Sequence, residues 1–515
     1  MKKTYLFVIM AMCLVSSCKK FLDTKPEDFV SGEYYYSTEE ELNTALAGVY
    51  SALAQDGTYS RNLVMELAHG SDEGFYKRND VNINAMVYNH DASYAALNNC
   101  WRQLYDGINR ANLLLQSIDK PQMDKQKRGV IKGEALFLRS LMYYHLVDKW
   151  GDVPLLLKPI ADAEQIDNPR ASSKVIFEQI TRDLTEAETL VNKISDIGFS
   201  GRVSKTAVAG ILARIYLKWA GYPLLDQSKY GEARTWALKV VESGEHQLAA
   251  DYKQIFINHS KDLYDIKESI FEIEFFGNNF EANKTGSRFT VHFAIRNTND
   301  LIGYGYATVG ATATLYRKYN DPNDVRRDWT IAPYSFQGNN TDIKVNKTIT
   351  DIHTRDIGKW RREYEVVRPF GKDWGPANFP VLRYADVLLM LAEAENEVSG
   401  PAEASTYLNL VRARAGAFEY KGVNEITDPG VFRQVIRDER TRELAFEGLR
   451  KSDLIRWGNF VQVMKETGSD ITANAPSTIR YAAKGYNNVA QRHVLLPIPT
   501  TEVSLNRAMT QNPGW

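Results

Sequence analysis

The sequence predicts a mainly α-helical fold: a tetratricopeptide-like α-α superhelical scaffold that carries a loop-rich insertion with minor β structure. Three observations predict it. Apolar residues recur at steps of three and four in many segments, glycine and proline mark the ends of several of these segments, and the pattern stops between about 258 and 380. Steps of three and four place side chains on one face of an α-helix. Helices are therefore expected on both sides of one irregular region.

The first eighteen residues are typical of an export signal. Lys2 and Lys3 precede a short apolar run, and small residues lead to Cys18. This combination indicates a cleaved secretory signal rather than a membrane span. A cysteine at the cut resembles the lipobox of bacterial lipoproteins. We therefore expect a lipoprotein signal peptide over 1–17, lipidation of Cys18, and a tether and docking segment over 18–36. The alternative is an ordinary signal peptide in which Cys18 is incidental.

Residues 37–257 are predicted to form an N-terminal helical part that is tetratricopeptide-like. Ser37 and Glu40 have the spacing of a capping box, in which two side chains satisfy free backbone N–H groups at a helix start. Further along, 204–219 and 229–243 carry apolar stripes and small residues, and they are expected to pair as antiparallel helices. Helix pairs of this kind stack into a curved array. The alternative is an irregular helical domain.

Residues 258–380 are predicted to form a loop-rich, ligand-binding insertion. Phe271 and Ile273 alternate with glutamates, which is typical of a strand. Glycine and asparagine are then dense, which indicates turns and loops. A loop-rich region of this length inside a helical array favours a functional role.

Residues 381–515 are predicted to form a C-terminal helical part. Val381 is read as the first member of an apolar stripe that continues at steps of three and four. Gly400 is followed by proline, and this predicts a tight turn between two helices, 381–398 and 402–415, that pair in antiparallel fashion. Asp428 is also followed by proline, and it is expected to be the N-cap of the next helix.

Composition excludes several classes of function. The chain has 63 basic and 64 acidic residues, so no nucleic-acid partner is implied. Of three cysteines, Cys13 leaves with the signal and Cys18 is the expected acylation site, so Cys100 alone cannot form an internal disulfide. The eight histidines show no metal-ligand spacing such as HExxH. We therefore expect neither a metal site nor a cofactor.

Long ordered motifs carry a resemblance to a known family. They include PVLRYADVLLMLAEAEN at 380–396, VRARAG at 411–416, RDERTRELAFEGLRKSDLIRW at 437–457, LPIP at 496–499, QNPGW at 511–515 and INRAN at 108–112. Together with the N-terminal cysteine, these motifs resemble the SusD/RagB family of Bacteroidetes outer-membrane lipoproteins. The resemblance implies a surface-exposed, lipid-anchored protein that captures nutrient oligosaccharides, or in some members peptides. It also implies a SusC-like TonB-dependent transporter as partner.

A sugar site needs exposed aromatic rings on irregular segments with polar neighbours, because rings stack on the C–H faces of sugars and polar groups bond the hydroxyls. The segment 71–80 and the insertion meet this description. We name Asp72, Tyr76, Trp329 and Trp374 as ligand-binding candidates. For each aromatic residue, packing of the insertion onto the scaffold is an equally strong interpretation.

The expected function is capture of oligosaccharide at the cell surface without catalysis, and two other classes stay open. A helical glycoside hydrolase could use Glu443 and Glu447, which lie one helical turn apart. Arginines within a turn of both would keep them ionised, which does not suit a general acid. A tetratricopeptide-like lipoprotein that serves as an assembly scaffold is the other alternative.

Overall fold

The computed structural model describes residues 35–79, 83–160, 167–280, 285–338 and 340–515. The expected signal peptide over 1–17, Cys18 and all but the last two residues of the 18–36 segment lie outside these ranges, so those expectations stay predictions. Within the described ranges, every helix is too short or too polar to cross a membrane.

Helices dominate the described residues, and the strands are short. The α-helices are α1 Glu39–Leu53, α2 Ala95–Ser117, α3 Lys125–Trp150, α4 Ser173–Leu190, α5 Ile194–Ile197, α6 Lys205–Ala220, α7 Lys229–Glu242, α8 Tyr252–Lys261, α9 Phe289–Phe293, α10 Ala313–Lys318, α11 Arg327–Thr330, α12 Tyr384–Val398, α13 Pro401–Arg414, α14 Pro429–Leu444, α15 Arg450–Arg456, α16 Phe460–Asn474, α17 Ala483–Asn488 and α18 Thr500–Leu505. The strands are β1 Gly74–Tyr76, β2 Val153–Pro154, β3 Arg170–Ala171, β4 Ser269–Ile273, β5 Val309–Ala311, β6 Tyr334–Phe336, β7 Lys344–Asn346 and β8 Phe379–Arg383. The predicted mainly α-helical fold with minor β structure is confirmed.

The long helices form one continuous stack. Contacts run from α1 through α2 and α3 to α4, then through α6 and α7 to α12, which also packs on α13 and α14. The predicted pairs at 204–219 with 229–243 and at 381–398 with 402–415 correspond to α6 with α7 and α12 with α13. Because each helix buries its apolar face on the next, the stack shares one continuous core.

Large aromatic side chains fill this core. Trp101 and Trp150 are buried and meet edge to face, with ring centroids 5.4 Å apart. Phe137 meets Phe271 of β4 in the same way at 5.1 Å. Burial of a side chain of this size contributes about 1.5–3 kcal/mol each, so the scaffold is a rigid support for the irregular segments.

Two of the predicted helix starts are confirmed, and one is shifted. Asp428 caps α14 and accepts a hydrogen bond from the Val431 N–H, and Gly400 precedes α13 at a φ of 96°. For α1, however, the capping box uses Thr38 with Glu41, each side chain bonding the other's backbone N–H at 3.1 Å. The predicted Ser37 cap is therefore wrong by one residue.

Val381 lies in strand β8 and not in the first turn of a helix. β8 pairs antiparallel with β4, and the pair is buried. Helix α12 begins only at Tyr384. The close approach of α6 to this pair depends on Gly210, where an added Cβ would lie 2.4 Å from the Leu382 side chain. The apolar residues of β8 fit the spacing of a helix as well as that of a strand. Their strand partner, β4, lies about a hundred residues earlier in the sequence, so the local pattern could not decide between the two.

Candidate functional site

Two irregular segments that the sequence places far apart meet through a short sheet. β1 pairs antiparallel with β5, with Tyr76 opposite Val309, and the Lys77 N–H donates to the Thr308 carbonyl at 2.9 Å. The Tyr306 and Thr308 N–H groups in turn donate to carbonyls of α9 at 2.8 Å. The segment around 71–79 therefore lies next to the part of the insertion that carries several of the partly exposed aromatic residues.

Four aromatic side chains in this region are partly exposed: Tyr76, Tyr304, Tyr306 and Trp374. We call this set the aromatic face. The Tyr306 hydroxyl lies 3.5 Å from Asp373, the residue that precedes Trp374. Trp374 can lie close to the backbone at position 286 because that residue is glycine. A Cβ added there would lie 2.8 Å from the Trp374 Cβ. The rings thus lie on segments that backbone contacts hold in place.

Charged groups flank the aromatic face. The Arg288 guanidinium lies over the Trp374 ring at 5.4 Å, and its Nη2 is 4.0 Å from Asp373. The Lys372 amine lies over the Tyr304 ring at 5.1 Å. Guanidinium, amine and carboxylate groups can bond hydroxyls at the edge of a ring-shaped ligand, while the aromatic rings meet its apolar face.

A neutral histidine lies behind the face. The His292 ring is 5.4 Å from the Tyr306 ring, and its Nδ1 is bonded to the Thr308 hydroxyl at 2.8 Å. Burial, and then the charges of Arg61, Arg288 and Arg78, lower the pKa of His292 to about 3. His292 is therefore uncharged at neutral pH, and the positive charge of this surface comes from lysine and arginine side chains such as Lys372 and Arg288.

The structure places two of the four candidate residues on this face and two inside the protein. Tyr76 and Trp374 are partly exposed. Asp72 is buried, and both of its carboxylate oxygens accept hydrogen bonds from Arg450 at 2.7 and 2.8 Å. Burial alone would raise the pKa of Asp72, but the charge and hydrogen bonds of Arg450 outweigh it and the pKa is lowered. Asp72 therefore serves as the ion-pair partner of Arg450 inside the protein and does not lie on the aromatic face.

Trp329 packs the insertion instead of lining a surface. Its ring is 4% exposed and lies under the Arg361 guanidinium at 3.9 Å and beside Tyr364 at 5.8 Å. Trp360 is buried in the main core as well. Sequence reasoning missed Arg288 and His292, because neither residue belongs to a pattern that distinguishes a surface arginine or histidine from any other.

A small depression extends the aromatic face on the side of Tyr76. Tyr76 and Tyr481 both line it, together with polar groups that include Asn79 and Lys484. Tyr481 lies in the C-terminal helical part, more than four hundred residues from Tyr76. Sequence reasoning missed Tyr481 because no motif marks it.

The carboxylates of the enzymatic alternative lie in a buried ion-pair network. Glu443 contacts Arg326, Arg383 and Arg414 at 3.0, 3.1 and 2.6 Å. Burial opposes ionisation, but these cations lower the pKa of Glu443 to about 2. The pKa of Glu447 is lowered too, against burial, by Arg383 and by a lysine. A general acid needs a raised pKa, so neither carboxylate suits that role.

Fold and site together define a class: a helical-repeat protein whose irregular segments carry an aromatic, charge-flanked surface. Comparison with known proteins agrees with this class. The model for the SusD family matches residues 267–515, and the model described as "Starch-binding associating with outer membrane", also SusD-like, matches residues 20–217. The chain belongs to the SusD/RagB family.

Similar proteins come from Formosa and Bacteroides species. A SusD-like protein of Formosa agariphila is 26% identical over 99% of this chain and 97% of its own length. The starch-binding protein SusD of Bacteroides thetaiotaomicron is 24% identical over 75% of this chain and 72% of its own. A SusD homolog from the same species has a solved structure that is 28% identical, with a TM-score of 0.87 over 94% of this chain and 98% of that one. A solved structure of a laminarin-binding SusD-like protein has the same fold, with a TM-score of 0.73 and 24% identity. The match covers 93% of this chain and 100% of that one.

Proposed function

We propose that this protein captures oligosaccharides at the cell surface and delivers them, unaltered, to a SusC-like TonB-dependent transporter in the outer membrane. The observation that carries the proposal is the aromatic face, a set of partly exposed rings flanked by charged groups on segments fixed by the helical stack. Family membership supports it, because relatives are described as starch-binding and laminarin-binding proteins.

The chemistry of the face suits repeated weak binding. An aromatic pair contributes about 0.5–1.5 kcal/mol beyond the burial of its area, so two or three stacked sugar rings give modest affinity. Modest affinity lets the ligand leave for the transporter. The lowered pKa values of Glu443 and Glu447 support binding without hydrolysis, since the enzymatic alternative depends on those two groups.

The Trp374→Ala variant is expected to bind oligosaccharide about tenfold more weakly, which corresponds to about 1.4 kcal/mol. The ring is partly exposed, so its removal deletes a stacking surface and leaves the core intact. Isothermal titration against starch-type and laminarin-type oligosaccharides measures the change. Trp236→Ala is the matched control, because Trp236 is a partly exposed tryptophan of α7 outside the face. Equal affinity in Trp374→Ala and the parent protein, or no ligand in a broad glycan panel, would contradict the proposal.

Anchoring is tested separately at Cys18. In a Bacteroidetes host, Cys18→Ser is expected to abolish incorporation of radiolabelled palmitate and to move the protein out of the membrane fraction. Two or more acyl chains are needed for stable anchoring, and the modified cysteine carries all of them. Cys100→Ser is the control, because Cys100 is a buried thiol of α2. Palmitate on the Cys18→Ser variant would refute the anchor, and purification of the membrane form without a large barrel protein would refute the partner.

A further inference from the structure

A second cavity lies apart from the aromatic face. It is open to solvent, has a volume of about 440 Å³ and is lined mainly by residues of α10, α14, α15 and α16. It shares no lining residue with the aromatic face as defined above, and most of its lining is charged or polar. Its volume falls in the range of about 300–1,000 Å³ that small-molecule sites occupy.

The cations that line this cavity are paired, with one exception. Arg317 bonds Asp470 at 2.5 Å, Lys318 bonds Asp438 at 2.6 Å, and Arg450 bonds Asp72. For Arg437 of α14, the part of the chain that the structure describes offers no carboxylate within ion-pair distance. Its Nε is buried without an acceptor, and burial lowers the pKa of Arg437. Arg437 is therefore a cation of the cavity without a direct carboxylate partner among the described residues, while the exposed Glu466 of α16 lines the same cavity.

Arg450 adds a second incomplete donor. Its Nε and Nη2 bond Asp72, while its Nη1 is buried without an acceptor. A buried donor without an acceptor costs about 1–3 kcal/mol, and more when the group is charged. Two guanidinium groups at one cavity thus each have a nitrogen without an acceptor among the described residues.

Trp457 provides the apolar wall between them. Its ring lies 5.0 Å from the Arg437 guanidinium and 5.7 Å from that of Arg450. Its indole N–H donates to Glu393 at 2.9 Å, which fixes the ring plane. The ring is partly exposed and lines the cavity. A third guanidinium, that of Arg456, lies over the ring at 4.9 Å, so the part of Trp457 that lines the cavity is what can contact the carbon atoms of a ligand whose anion lies near Arg437.

We propose that this cavity is a binding site for a small molecule that carries an oxyanion, a carboxylate or a sulfate, on a sugar-sized carbon frame. Arg437 neutralises the anion, because a guanidinium matches the planar geometry of a carboxylate and of two sulfate oxygens. Trp457 contacts the carbon frame. The cavity gives the protein a second specificity, for acidic ligands, that is independent of the aromatic face.

Titration of the purified full mature chain with D-glucuronate tests the proposal, with D-glucose as the neutral counterpart. We expect glucuronate to bind with a Kd below about 1 mM and glucose at least about tenfold more weakly. Sodium sulfate is the third ligand: competition by sulfate indicates that the oxyanion alone is recognised, and failure to compete indicates that the sugar frame is needed. Absence of glucuronate binding, or equal binding of glucose, would overturn the proposal.

Matched variants locate the binding. Arg437→Gln is expected to weaken glucuronate at least about tenfold without lowering the melting temperature, because Arg437 takes no part in an ion pair among the described residues. Arg433→Gln is the control on the same helix, since Arg433 bonds Glu397 at 2.5 Å and does not line the cavity. Unchanged affinity in Arg437→Gln would refute the site. Trp374→Ala should leave glucuronate affinity unaltered, which separates this site from the proposed glycan surface.

Discussion

Replacement of Glu443 by alanine is expected to lower the free energy of unfolding by about 3–5 kcal/mol, the usual cost of removing one partner from a buried ion pair. Glu443 is fully buried and is within 3.1 Å of three guanidinium groups, those of Arg326, Arg383 and Arg414. Its removal leaves these charges partly unpaired where water cannot replace the carboxylate. Urea denaturation followed by circular dichroism measures the change.

The control for this variant is Glu403→Ala. Glu403 is an exposed glutamate of α13, so its replacement should change the unfolding free energy by less than about 0.5 kcal/mol. The loss of unfolding free energy in Glu443→Gln should lie between the losses in these two variants, because the amide keeps one acceptor oxygen but has no charge. A loss in Glu443→Ala no larger than that of Glu403→Ala would show that the network is not a stability element. Loss of a glycan-hydrolysing activity in a stable Glu443→Gln variant would instead restore the enzymatic alternative.

The helical scaffold could be predicted because its determinants are local. The spacing of apolar residues, and the glycine or proline at a helix end, act over a few helical turns. The two helices on either side of Gly400 and the start of α14 at Asp428 were therefore predictable. The shift from Ser37 to Thr38 at α1 has an equally local cause. Both positions can cap, and glutamates stand three residues after each, so the pattern fits two registers.

The exposed residues of the site could not be predicted, because long-range partners decide exposure. Trp329 and Trp374 have similar sequence surroundings, yet the first lies under Arg361 inside the insertion and the second lies at the surface. Asp72 is removed from the surface by Arg450, which is 378 residues away. The same reason explains β8, whose apolar run became a strand only because β4 is available as its partner.

Mild acid is expected to destabilise the protein, and His90 is the clearest contributor. The ring is 3% exposed, neither of its nitrogens has a hydrogen-bond partner among the described residues, and it packs on Trp515 at 5.0 Å. Burial, and then the charges of Lys451, His493 and Arg492, lower the pKa of His90 to about 3, while Asp91 opposes them weakly. The ring is therefore neutral in the folded protein at every pH above about 3.

The sign of the effect follows from the unfolded chain, in which a histidine has a pKa near 6.5. Between pH 6.5 and 3 the unfolded state binds a proton that the folded state does not, so stability is complete above pH 6.5 and falls as pH decreases. The loss is about 1.4 kcal/mol per pH unit, or about 2 kcal/mol at pH 5. Lys451, whose pKa is lowered to about 7, is protonated in both states at pH 5 and adds no slope there.

His90→Phe isolates this contribution, because phenylalanine keeps the ring packing and cannot titrate. When the pH is lowered from 7 to 5, the unfolding free energy of His90→Phe is expected to fall by about 2 kcal/mol less than that of the parent protein. Other histidines titrate in both proteins and cancel. Trp236→Phe is the control: it exchanges one partly exposed ring of α7 for another and adds no titratable group, so its effect should be equal at both pH values. The same His90→Phe difference at pH 5 and pH 7 would mean that His90 is protonated in the fold, and that burial does not keep this ring neutral.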